Sequence, residues 1–124
     1  GRIVLQVQID RAAPAVTALL ALSCKPRTGE ALGRAAAEKL LREIPGWAIS
    51  DDAKEISRVY RFGNYYETLA FVNAQAWVVH REDHHPDLEV SYNRCRVRFS
   101  THSVHGLSAN DFICAAKINA LHGE

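Results

Sequence analysis

Residues 88 to 99, LEVSYNRCRVRF, alternate between apolar and polar side chains twice, and the two alternations are separated by Asn93 and Arg94. A helix would repeat its apolar positions every three or four residues, so the string specifies a β-hairpin with one apolar face. With Asn93-Arg94 as a two-residue turn, Asn tolerating positive φ, Tyr92 faces Cys95, Val90 faces Val97 and Leu88 faces Phe99. Every pair is apolar with apolar, and a one-residue slip would drive Arg94, Arg96 and Arg98 into the core. Carried outward, the same pairing sets His85 opposite His102, with Cβ atoms about 5 Å apart.

The rest of the chain supplies what covers that apolar face. Ala31, Ala35, Ala36, Leu40 and Leu41 recur at helical spacing up to Pro45-Gly46, predicting a first helix over 29–43. WAIS and EISRVYRF flank the polar DDAK and predict another hairpin. Tyr65, Leu69, Val72, Ala76 and Val79 predict a second helix over 64–82, and LSANDFICAAKINAL a third, capped by Ser108. The order helix-hairpin-helix-hairpin-helix is an α+β fold: a four-stranded antiparallel sheet with helices packed on one face. Residues 1–23, where Ile3, Leu5, Val7 and Ile9 alternate like a strand, form an N-terminal extension of uncertain structure ahead of a domain over 24–124. At 124 residues one core is the expectation.

A net charge of +1, with both signs mixed along the chain, gives no reason to expect nucleic acid or an acidic membrane as partner. The alternate arginines 94, 96 and 98 are read as the wet side of a strand. Three widely spaced cysteines, 24, 95 and 114, fit neither a disulfide framework nor a metal knuckle, so the default is a reducing, cytoplasmic setting. No apolar run approaches the roughly 18 residues of a spanning helix. The chain starts at Gly1 and holds no Met, so a lost N-terminal segment is expected.

The chemistry sits with the histidines. His84 lies beside His85 and His102 at the hairpin mouth, and His80, one helical turn earlier, can share its face. His80 and His84 have ligand spacing with His102 as a third candidate, but Glu82 in HREDH does not make the His-Glu-x-x-His of zinc peptidases. No Ser or Cys stands in a nucleophile motif. Imidazoles in different surroundings can serve as acid and base near neutrality, so metal-free proton transfer is the expectation. Asp111 follows Ser108 at capping-box spacing, and capping is compatible with aiming a carboxylate at an imidazole.

The spacing His84, His85, Pro86, Tyr92, His102, Asp111, within HHP, STH and GLSANDF, resembles the pterin-4a-carbinolamine dehydratases, as do IPGW and YRF, over about residues 28–122. His80 replaces a Glu frequent in that family, and Leu88 or Glu89 an aromatic residue. The resemblance implies loss of water from 4a-hydroxytetrahydropterin to quinonoid dihydropterin, recycling the cofactor of aromatic amino acid hydroxylases, with the pterin as substrate and no further cofactor. It implies His84, His85, His102 and Asp111 as catalytic residues, and His80, Pro86, Tyr92, Ser100 and Thr101 as pterin-binding residues. His84 and His102 would handle the protons and His85 would orient the ring. A homodimer or homotetramer is implied too, with a functional link to a hydroxylase. The alternative implied is a binding module that stabilises dimers of a transcription factor.

Overall fold

The computed structural model describes residues 17–123; the strand predicted across Ile3 to Ile9 lies outside them. A one-turn 3-10 helix, Ala18–Ala21, precedes α1 (Arg34–Leu41), β1 (Ala48–Ile49), β2 (Ile56–Arg61), α2 (Tyr65–Glu82), β3 (Asp87–Ser91), β4 (Arg94–Phe99), a second 3-10 turn (His102–Val104) and α3 (Ala109–His122). The sheet runs β1-β2-β4-β3, all antiparallel. The two hairpins predicted from alternation are therefore joined side by side through β2 and β4.

Ile56 and Tyr60 of β2 and Cys95, Val97 and Phe99 of β4 are buried against the helices, with Phe71 and Val79 of α2 and Phe112, Ile113 and Ile118 of α3. Arg94, Arg96 and Arg98 take the opposite face, as the alternation requires. The third helix is nearly all core: Phe112 through Ala116 are each at most 3% exposed, because α3 is covered on several sides. At the end of this core remote from β3, Asn119 Oδ1 accepts from Trp47 Nε1 (2.9 Å), Arg58 (2.7 Å) and the Tyr60 hydroxyl (2.5 Å). These bonds satisfy buried polar groups that would otherwise destabilise the packing.

Two expectations change. The β3–β4 turn is Tyr92-Asn93, so Leu88 faces Val97, Val90 faces Cys95 and Ser91 faces Arg94. A shift of two residues leaves each side chain on its own face, so alternation alone does not select between the registers. Contacts from outside the hairpin do: Asn93 accepts a backbone bond from Phe62, and Tyr92 O accepts from the Thr68 hydroxyl. The first helix starts at Arg34 rather than 29, because Leu32 N–H donates to Leu107 O and the preceding residues line up along that loop.

Candidate active site

Asp111 stands at the third position of α3, and its carboxylate is fully buried. Oδ2 accepts from the Ser108 backbone N–H (2.9 Å), completing a capping box, and from the Thr101 hydroxyl (2.7 Å). Oδ1 lies 2.6 Å from His84 Nε2. Helix capping and orientation of an imidazole are thus combined in one side chain. Thr101 Oγ1 also lies 2.7 Å from Ser108 Oγ, which closes the network.

His84 reaches the carboxylate because of how α2 ends. Asp83, the C-cap, takes a left-handed conformation with φ 52°, and the His84 N–H turns back to Val79 O (3.2 Å). The ring then stacks on Phe99 at 5.7 Å between centroids and 8° between planes. One nitrogen is committed to Asp111, and among the described residues Nδ1 carries no hydrogen bond. Such an imidazole can pass a proton only through Nδ1 while Asp111 fixes the tautomer.

The left-handed turn also separates His80 from His84. His80 remains in the last turn of α2 and is exposed, so the shared helical face predicted for the two does not form. His85 is exposed next to Pro86, and the ladder begins only at Asp87, opposite Arg98. The predicted pairing of His85 with His102 is therefore replaced: Pro86 has no N–H to extend the ladder, and the register differs by two. Tyr92 lies at the other end of the hairpin, stacked on Tyr65 at 6.4 Å and 14°. The structure does not bring it to His84.

On the far side of Thr101 is an open cleft of about 310 Å³, lined by Ser100, Thr101, His102, His105 and Gly106 together with Ser50, Asp52, Lys54 and Glu55 of the β1–β2 turn. Thr101 N–H donates to Gly106 O (2.6 Å), pinching residues 102–105 into a tight loop. At its tip His105 has φ 56°, a left-handed conformation that disfavours any residue with a Cβ. The His102 and His105 rings meet edge-on at 5.9 Å. His105 stands in no motif of the sequence, and only the loop geometry brings it beside His102. Among the described residues no three His, Cys, Asp or Glu side chains are placed to hold a metal ion, and no helix is long and apolar enough to cross a membrane.

Comparison with known proteins finds relatives of one family. A family model for Pterin 4 alpha carbinolamine dehydratase matches residues 30–121. A relative from Stenotrophomonas maltophilia strain K279a that carries the pterin-4-alpha-carbinolamine dehydratase name is 60% identical over 100 residues, 79% of this chain and 86% of its own. One of the same name from Xanthomonas campestris pv. campestris strain 8004 is 57% identical over 100 residues, covering 79% and 85%. The crystal structure of a transcriptional coactivator/pterin dehydratase from Brucella melitensis has a TM-score of 0.72 at 31% identity, covering 76% of this chain and all of that one. A pterin dehydratase-like protein identified as a RuBisCO assembly factor in the alpha-carboxysome shares the fold, with a TM-score of 0.56 at 20% identity over 64% of this chain and 92% of its own.

Proposed function

The chain belongs to the pterin 4 alpha carbinolamine dehydratase family and is a hydro-lyase; from that premise we propose that it dehydrates 4a-hydroxytetrahydropterin by histidine acid–base catalysis. In this reaction the C4a–O bond breaks as the leaving hydroxyl takes up a proton. N5 loses its proton and C4a=N5 forms, giving quinonoid dihydropterin and water. One group must give a proton and another must accept one at the same pH.

The observation that carries this reading is the 2.6 Å contact between His84 Nε2 and the buried Asp111 carboxylate. It holds one imidazole in a single orientation with Nδ1 left for the substrate. Thr101 ties Asp111 to the next residue in the chain, His102, at the edge of the cleft. His84 and His102 are assigned the protons, and exposed His85 the orientation of the pterin ring. Ser100, Thr101, Pro86 and exposed His80 at the end of α2 are assigned to the binding of the ring. Tyr92 would reach a pterin only if another protomer supplied it.

The natural role assigned is recycling of the pterin used by an aromatic amino acid hydroxylase, in a homodimer or homotetramer. The five-residue outer edge of β3 is one surface through which copies could pair. The binding-module reading has behind it the coactivator half of one relative's name.

The decisive experiment follows conversion of enzymatically generated 4a-hydroxytetrahydropterin by fast absorbance, with chelator present throughout. The expected result is acceleration that chelator leaves intact and that His84→Ala and His102→Ala each lower about 100-fold, some 2.7 kcal/mol of barrier. Full activity in His102→Ala together with complete loss in His85→Ala would overturn the assignment of the protons.

A further inference from the structure

The segment ahead of α1 is held against α2 and α3 by backbone hydrogen bonds, by Arg27 Nε, which donates to Asn110 Oδ1 at 2.9 Å, and by Leu19, buried in the core. Cys24 N–H donates to Glu82 Oε1 at 2.8 Å. Lys25 is gripped from both sides by Asn110, its N–H reaching Oδ1 at 3.2 Å and its carbonyl accepting from Nδ2 at 2.8 Å. Held in this way, Cys24 Sγ lies 3.6 Å from Cys114 Sγ. Both thiols are free, Cys24 half-buried and Cys114 fully buried in α3, one turn after Asp111. The Cys24 thiol donates to Asn110 O (3.6 Å) and the Cys114 thiol to His84 O (3.8 Å). The dehydration uses neither sulfur.

We infer that Cys24 and Cys114 are a redox modification site, a dithiol that a hydroperoxide converts to a disulfide joining the segment ahead of α1 to α3 directly behind the His84–Asp111 pair. The order of events follows from exposure. Cys24, reachable from solvent, attacks the peroxide as the thiolate; the O–O bond breaks, an alcohol or water leaves, and Cys24 becomes a sulfenic acid. The Cys114 sulfur then displaces hydroxide from it, the S–S bond forms, and the hydroxide leaves as water with the Cys114 proton. Two thiols and one hydroperoxide give one disulfide, one alcohol and one water: sulfur is oxidised and peroxide oxygen reduced.

Cys114 does not act first. Its neighbour Cys24, its burial and the nearby carboxylates of Glu82 and Asp111 all push its thiol far above the usual range and hold it protonated. Bond formation requires the sulfurs to approach by about 1.5 Å. Cys24 lies in no strand or α-helix, so its side chain can swing toward Cys114 while the backbone bonds at Cys24 and Lys25 stay in place. Cys95 is a different case: it is buried in the sheet and pushed up to about 11 by burial alone, with neither other cysteine in contact.

The test uses the full chain and does not depend on the pterin reaction. Reduced protein is treated with a small molar excess of hydrogen peroxide, and thiols are counted after denaturation. The expected result is a fall from three thiols to one and a loss of about 2 Da. A peptide map should join Cys24 to Cys114, and dithiothreitol should reverse the change. Closing so long a loop should raise Tm by about 10 °C. Cys95→Ala should fall from two thiols to none with the same loss of about 2 Da, and Cys24→Ser should keep both remaining thiols under the same dose. Three persistent thiols, a mass gain of about 32 Da at Cys24 without a cross-link, or a link through Cys95 would each overturn the inference.

Discussion

The two sides of Thr101 are built in opposite ways. On one side His84, Asp111 and Ser108 form a closed network in which the carboxylate accepts three hydrogen bonds and is sealed from solvent. On the other, His102 and His105 stand exposed on a short pinched loop, each with the other's ring as its neighbour. The closed side is anchored by the ends of α2, β4 and α3, the open side by the backbone bridge between Thr101 and Gly106, the Ser103 hydroxyl on Arg27 O and the buried Val104. A proton-handling group needs a fixed direction, and a substrate needs access. The fold separates these demands by one residue, so damage on the closed side should strike stability and activity together, whereas damage on the open side should strike activity alone.

The largest test of that division is Asp111→Ala. It removes the N3 half of the α3 capping box and strands His84, Thr101 and the Ser108 N–H without their acceptor, so unfolding in urea should show a loss of about 3–5 kcal/mol. A variant as stable as the parent would mean that the network is not a structural unit. His84→Ala should lower the rate about 100-fold and also cost stability, since it empties the stacking site on Phe99. His102→Ala should give a comparable fall in rate while the unfolding free energy from urea stays within about 0.5 kcal/mol of the parent. Equal stability losses in the two histidine variants would erase the contrast between the sides. His105→Gly sharpens it further. Relief of the left-handed conformation should stabilise the protein by about 0.5–1 kcal/mol, read in the same urea series, and a destabilised variant would show that the His102 contact outweighs the strain.

The same contrast explains how much was legible in the sequence. Apolar periodicity placed α2 and both hairpin faces, and the Ser108-to-Asp111 spacing announced the cap, because each depends on neighbours in sequence. The hairpin register was not legible, since a slip of two conserves both faces and the choice rests on Phe62 and Thr68, remote in sequence from the turn. The His84–Asp111 contact, across 27 residues, follows from Asp83 turning left-handed at the end of α2, which no motif announces. The closeness of Cys24 and Cys114, separated by 90 residues, is likewise a product of tertiary packing. Their sequence spacing suggested no pairing at all.

The smallest expected effect tests how the closed side is braced from behind. Burial raises the Glu82 carboxyl, but the Cys24 N–H and Lys117, whose Nζ is 3.2 Å away, outweigh it and hold the group below its ordinary 4.5. A carboxyl depressed by folding adds stability that is fully present above its unfolded value and disappears as the pH falls through the folded one. Glu82→Gln should therefore be less stable than the parent at pH 7 by under about 1 kcal/mol, with the difference shrinking from about pH 4.5 downward. Urea titrations of both chains at pH 7 and at pH 3.5 measure it. A difference unchanged between the two would mean that Glu82 braces Cys24 as a hydrogen-bond acceptor regardless of charge, and that the backbone contact rather than the ion pair keeps the segment against the closed side.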